Sequence, residues 1–176
     1  MLREAADADR DMVLRWRNHP QVRRASFTTH EIDPAEHVRW WSSMRADAGR
    51  WLLIYEHGSV ASGVVTLVTD AAVETATWGF YLDIDGLDRR GELLAAWIGI
   101  ERESAAYAFG KVGVSVLRGD VLASNSVVRR LHRRCGFAET GTYVREIDGV
   151  PHEVVRVELR RDPLTPIEPL QAEPPS

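Results

Sequence analysis

Residues 125–137 read Asn125-Ser-Val-Val-Arg-Arg-Leu-His-Arg-Arg-Cys-Gly136-Phe137. An Asn side chain can accept from the free N–H groups of a first helical turn, and glycine takes the left-handed conformation that ends a helix. Ser124 or Asn125 therefore caps a helix that runs through Arg134 and stops at Gly136. Before it, Val112 to Leu122 is rich in Val and reads as a strand. After it, Phe137 to Ile147 and Glu153 to Leu159 form the arms of a hairpin whose turn signal is Asp148-Gly149.

Further upstream, a long apolar helix is expected from about Glu92 to Phe109, with Leu94, Trp97, Ile98 and Tyr107 against a sheet. A polar, glycine-containing loop, Asp83 to Gly91, precedes it, and Glu74 to Leu82 supplies the strand before that. Trp51 to Tyr55 and Val60 to Val68 read as a hairpin across Glu56-His57-Gly58-Ser59. Two helices come first. One follows Asp7 and Asp9, carries Met12, Val13 and Trp16, and ends near Asn18-His19-Pro20. The other starts at Asp33-Pro34 and lines up His37, Trp40, Trp41 and Met44. The order gives a mixed α/β sheet with helices on both faces; an unrelated α+β binding domain is the alternative.

A chain of 176 residues, 44% hydrophobic, can bury one core as a single domain over residues 1–161. From Asp162 onward five prolines predict a mobile tail over 162–176. The net charge of -4 offers no attraction to nucleic acid or anionic membrane. One cysteine excludes an intramolecular disulfide, and no Cys/His cluster has zinc spacing, so no metal is expected. With no apolar leader in Met1 to Arg10, the reading is a cytoplasmic protein.

The stretch 125–137 resembles the motif of the GNAT N-acetyltransferase superfamily in which Asn opens the helix after the fifth strand and Gly-Phe closes it. Gly79-Phe80-Tyr81 resembles the fourth strand of that family, and Arg89-Arg90-Gly91-Glu92 the loop that receives the pyrophosphate of coenzyme A. The resemblance implies a mostly antiparallel twisted sheet of six to seven strands, splayed between strands four and five. It also implies acetyl-coenzyme A as the acyl donor, held by Phe80, Tyr81 and Leu82, by Arg89 through Leu94, and by Asn125, Val128 and His132. A helix N-terminus and a glycine suit a phosphate group on physical grounds as well. Leu93 departs from the family's small residue in that loop.

The N-terminal run Leu14-Arg-Trp-Arg17-Asn18-His19-Pro20, with Ile32-Asp-Pro-Ala-Glu36-His37-Val-Arg-Trp40, is similar to acetyltransferases of nucleotide-linked amino sugars and to the ribosomal-protein group. That likeness implies a small-molecule primary amine as acceptor, an amino sugar first, with Arg17, Asn18, His37, Trp40 and Trp78 around it. A protein amine, or a catalytically degenerate domain that only binds coenzyme A, is the alternative. The attacking amine must be neutral, the oxyanion stabilised and the leaving sulfur protonated. A backbone N–H near Phe80 or Tyr81 is the expected oxyanion donor. His132 stands where the family often has a sulfur-protonating Tyr, and His37, Glu74 and Asp120 are the candidate bases. Cys135 is read as packing, and a monomer or homodimer is equally compatible.

Overall fold

The computed structural model describes residues 1–70 and 72–162; the expected tail over 163–176 lies outside the described residues. Its centre is a seven-stranded sheet in the order β1-β2-β3-β4-β5-β7-β6. The strands are β1 Leu2–Glu4, β2 Arg50–His57, β3 Val60–Thr69, β4 Thr75–Leu82, β5 Val116–Leu122, β6 Ala138–Ile147 and β7 Val150–Arg160. All neighbours are antiparallel except β4 and β5, which run parallel. The helices are α1 Arg10–Arg17, α2 Pro20–Ala25, α3 Pro34–Ala46, α4 Ile84–Arg89, α5 Leu93–Tyr107 and α6 Ser126–Arg134.

Period-two alternation divides the sheet's side chains between two cores. Leu53, Val65, Leu67, Trp78, Leu117 and Val121 face one side with Ala96, Ile100 and Tyr107 of α5 and Val128 of α6. Leu52, Ile54 and Val64 face the other side, with Val13 and Trp16 of α1 and Trp41 and Met44 of α3. Helices therefore cover both faces of a mixed sheet, as the pattern predicts.

Three elements were not expected from sequence. β1 is short and carries two charges, Arg3 and Glu4, so it has no apolar signature; pairing with β2 defines it. Pro20 is not only a breaker: it occupies the first turn of α2, where its missing N–H costs nothing, and the His19 side chain caps that turn. Most of the expected loop 83–91 is α4, begun by Asp83, whose carboxylate accepts from the Gly86 N–H. Of the expected stripe of α5, Tyr107 and Trp97 pack in the sheet-facing core together with Ala96 and Ile100, whereas Leu94 is 69% exposed.

Candidate active site

Strands β4 and β5 pair only at Thr75, Ala76 and Thr77 against Val116, Leu117 and Arg118. Past that point they diverge. Hydrogen bonds at the strand ends set which backbone groups face the opening. The Asp83 N–H bonds to the Ser62 carbonyl on β3, and β3 and β4 stay in register without a bulge. Tyr81 and Gly79, two and four residues back, also point toward β3, so Phe80 and Leu82 turn their N–H and C=O groups to the gap. Just past the end of β5 the Ala123 N–H bonds to the Glu153 carbonyl of β7, and at its start the Val116 N–H bonds to the Glu74 carbonyl just before β4. The same alternation turns Asp120 and Leu122 to the gap.

A wedge marks the point of divergence. Trp78 stacks between Phe80, with ring centroids 5.0 Å apart, and Phe137, at 5.4 Å. Its indole lies over Gly119 of β5, where a Cβ would approach Nε1 to 2.8 Å. Only glycine leaves room for the ring there.

The opening continues as a cleft of about 340 Å³ that crosses the sheet. Phe80, Leu82, Trp97, Val121 and Val128 line it from the α5 and α6 side. Tyr81, the α2 residues Gln21, Val22 and Ala25, and Ser26 just after that helix line it from the other. Asn125 stands at its rim, its side chain accepting from the Val128 N–H at 3.3 Å and so capping α6. No carboxylate is among the described residues that line it.

The loop before α5 is built from a left-handed Gly91 with φ of 68°. Arg90 is latched in place, with Nε donating to Glu92 at 2.6 Å and Nη2 to the Ser62 hydroxyl at 3.0 Å. Arg89 is exposed. Glu92 caps no N–H of α5 with its side chain, so the first-turn N–H groups of this helix remain as donors for an anion. None of Arg89 to Leu94 lines the cleft itself; they lie at the end of α5 whose second turn carries Trp97.

Arg17, which does not itself line the cleft, is largely desolvated beside Tyr81, and burial lowers its pKa. Its Nη2 donates to the Thr28 carbonyl at 2.8 Å, while Nη1 is sealed from water without a hydrogen-bond partner. Burial raises the Tyr81 phenol. The segment after α2 is clamped from the far side: Phe27 packs with Leu122, Ile147 and Val154, Arg145 lies 4.4 Å over its ring, and Thr29 bonds to Asp148.

Several expected site residues are occupied elsewhere. Asn18 uses its amide on the backbone of Ile32, donating to the carbonyl and accepting from the N–H, both at 2.9 Å, so it fixes the chain before α3. His37 is 3% exposed and its Nε2–H donates to the Arg10 carbonyl at 2.9 Å, which puts it under α1. Burial lowers its pKa. Trp40 stacks on His37 and packs against the α1–α3 core. Trp78 belongs to the opposite core. Glu74 is exposed at the closed end of β4, roughly 26 Å along the strand from Leu82. Asp120 accepts from the Tyr143 hydroxyl at 2.9 Å and from Arg156 Nε at 3.2 Å, so both of its oxygens are engaged.

His132 is 5% exposed, one turn after Val128 on the same face of α6 and edge-on to Phe80 with centroids 6.3 Å apart. It stands directly behind the cleft wall. Its Nδ1 lies 3.1 Å from Glu101 of α5, a wholly buried carboxylate. Cys135 packs beside them; burial and Glu101 push its thiol up to about 11, which keeps it protonated. Sequence reading missed Glu101, although it occupies the core stripe of an otherwise apolar helix face between Trp97 and Ser104. It also missed Gly119 and the α2 residues of the cleft.

The GNAT acetyltransferase domain family matches residues 1–138. The chain belongs to this family. It is accordingly an N-acetyltransferase that uses acetyl-coenzyme A. Among solved structures, spermidine N-acetyltransferase from Vibrio cholerae, determined with CoA and spermine, is 18% identical; the match covers 91% of this chain and 94% of that one at a TM-score of 0.77. Ribosomal-protein-alanine N-acetyltransferase from Brucella melitensis is 20% identical over 92% and 99%, with a TM-score of 0.64. Campylobacter jejuni PseH, an N-acetyltransferase determined with acetyl coenzyme A, is 18% identical over 92% and 100%, also at 0.64. At these identities the likeness is one of fold. A comparison with curated sequences finds no match.

Proposed function

We propose that this acetyltransferase acts on a small-molecule primary amine that also carries oxygen acceptors, an amino sugar, free or nucleotide-linked, being the substrate class. The observation behind this reading is Arg17: a buried guanidinium N–H without a partner, next to Tyr81, which lines the cleft, so that a small shift of Tyr81 would bring it to a bound acceptor. A hydroxyl, carboxylate or phosphate oxygen would complete it. Gln21 and Ser26 add hydrogen-bonding groups along the same wall, and Phe80 and Trp97, edge to face at 5.8 Å, add flat apolar surface. A polyamine would call for carboxylates, and the described lining has none.

Acetyl-coenzyme A, when bound, supplies the thioester acyl group. Phe80 and Leu82 would hold its pantetheine arm by backbone groups, with Asn125 and Val128 at the rim and the α5 N-terminus at the phosphates. The Phe80 N–H is the oxyanion donor of this reading; Tyr81 N–H is spent on β3. His132, just behind Phe80, is the group that returns a proton to the leaving sulfur. The protein works in the cytoplasm, where its acyl donor is made and its single thiol stays reduced.

Incubation with acetyl-coenzyme A and a panel of amines tests the acceptor class by mass gain. Acetylation of an amino sugar with spermidine untouched supports it. Acetylation of spermidine or of a ribosomal N-terminal peptide alone would replace it.

A further inference from the structure

We propose that Glu101 is a positioning residue for His132, fixing the imidazole with its proton on Nδ1 and leaving Nε2 as the proton-carrying atom of the site. The acceptor's identity does not enter this inference; it rests on the proposed role of His132 in acetyl transfer.

Glu101 has no exposed surface and lies inside the apolar core between α5 and the sheet. A buried carboxylate is costly unless a neighbouring group compensates it. The basic group against it is His132, whose Nδ1 approaches to 3.1 Å. The approach is off the ideal hydrogen-bond axis, so both Glu101 oxygens and Nδ1 are short of a well-aligned partner. The other groups at this spot are the Cys135 thiol, which burial and a contact with Glu101 keep protonated and therefore neutral, and the aromatic rings of Trp78, Phe80 and Phe137. Arg102 and Arg134 are near enough to act on Cys135 through space. Of the two ring nitrogens only Nδ1 is sealed without a partner. What exposure His132 retains therefore serves its Nε2 edge.

A carboxylate behind Nδ1 does two things in such an arrangement: it selects the Nδ1–H tautomer and stabilises the imidazolium that forms during turnover. The proton then balances within the site. As the amine nitrogen bonds to the carbonyl carbon, Nε2 takes one N–H proton. As the carbon–sulfur bond breaks, Nε2 gives that proton to the sulfur, so amide and thiol leave neutral and His132 is restored. Glu101 touches neither reactant; it acts through His132.

The test has two parts. In histidine-¹⁵N-labelled protein without ligand, with the His132 signals assigned by their loss in His132→Phe, the expected pattern is protonated Nδ1 and unprotonated Nε2. Glu101→Gln should shift the pattern toward the other tautomer. With any amine the enzyme accepts, Glu101→Gln should lower kcat by about 100-fold, leave the acetyl-coenzyme A KM within about twofold, and cost nothing further in the His132→Phe background. An Nε2–H resting tautomer would overturn the proposal. So would a Glu101→Gln variant whose melting temperature moves while kcat does not, since that describes a purely structural acid.

Discussion

The indole nitrogen of Trp78 lies 2.8 Å from the point at which residue 119 would carry its Cβ, and residue 119 is glycine. One rigid ring and one missing side chain thus meet where β4 and β5 stop pairing. Gly119→Ala should force the ring out of its stack with Phe80 and Phe137. A loss of about 1–3 kcal/mol in denaturant unfolding is expected, together with weaker acetyl-coenzyme A binding by calorimetry. Unchanged stability and affinity would mean that the ring does not hold the gap open.

Arg17 and Asn18 are neighbours in sequence with separate tasks. If Arg17 holds the acceptor as proposed, Arg17→Met removes a charged donor and should raise the acceptor KM by about 10- to 100-fold, from the 1.5–3 kcal/mol of such bonds. Acetyl-coenzyme A affinity should hold. Steady-state kinetics with each substrate varied in turn makes the comparison.

Asn18→Leu leaves the Ile32 N–H and C=O without their partners. About 1–3 kcal/mol of stability should go with them. The effect is global: unfolding by urea shifts to lower concentration, and at temperatures where the variant is folded the acceptor KM changes far less than in Arg17→Met.

His37 gives a pH signature outside the site. Its pKa is lowered by burial from the ordinary 6.5, so the folded state favours the neutral ring. The unfolded chain binds the proton first, and the stability tied to neutral His37 is complete above about pH 6.5 and is lost as pH falls through the lower folded value. Urea midpoints of wild type and His37→Gln, followed from pH 8 down to about pH 5, should converge on acidification. Parallel curves would show that His37 titrates as it does in the unfolded chain.

The strand-helix-hairpin core and the family likeness were legible because local chemistry and tertiary role coincide there: Asn125 caps, Gly136 stops with φ of 92°, and Asp148-Gly149 turns. α2 was hidden because Pro20 can end one helix and begin another, and the choice rests on tertiary packing of Val22 and Phe27. Site roles were less legible. Polarity marked Asn18, His37 and Asp120 as candidates, yet a polar side chain is equally suited to satisfying backbone or an ion pair, and those uses take all three. Glu101 was the converse case, a charge whose meaning comes only from His132 across the helix interface.

Amide hydrogen exchange at β4 tests the central claim, that the β4–β5 gap receives the donor's arm by its backbone. Gly79 and Tyr81, paired to β3, should be protected from exchange in the free protein and stay so. Phe80 and Leu82 should exchange readily and become protected when acetyl-coenzyme A saturates the enzyme. Saturating cofactor that leaves Phe80 and Leu82 unprotected would contradict the account.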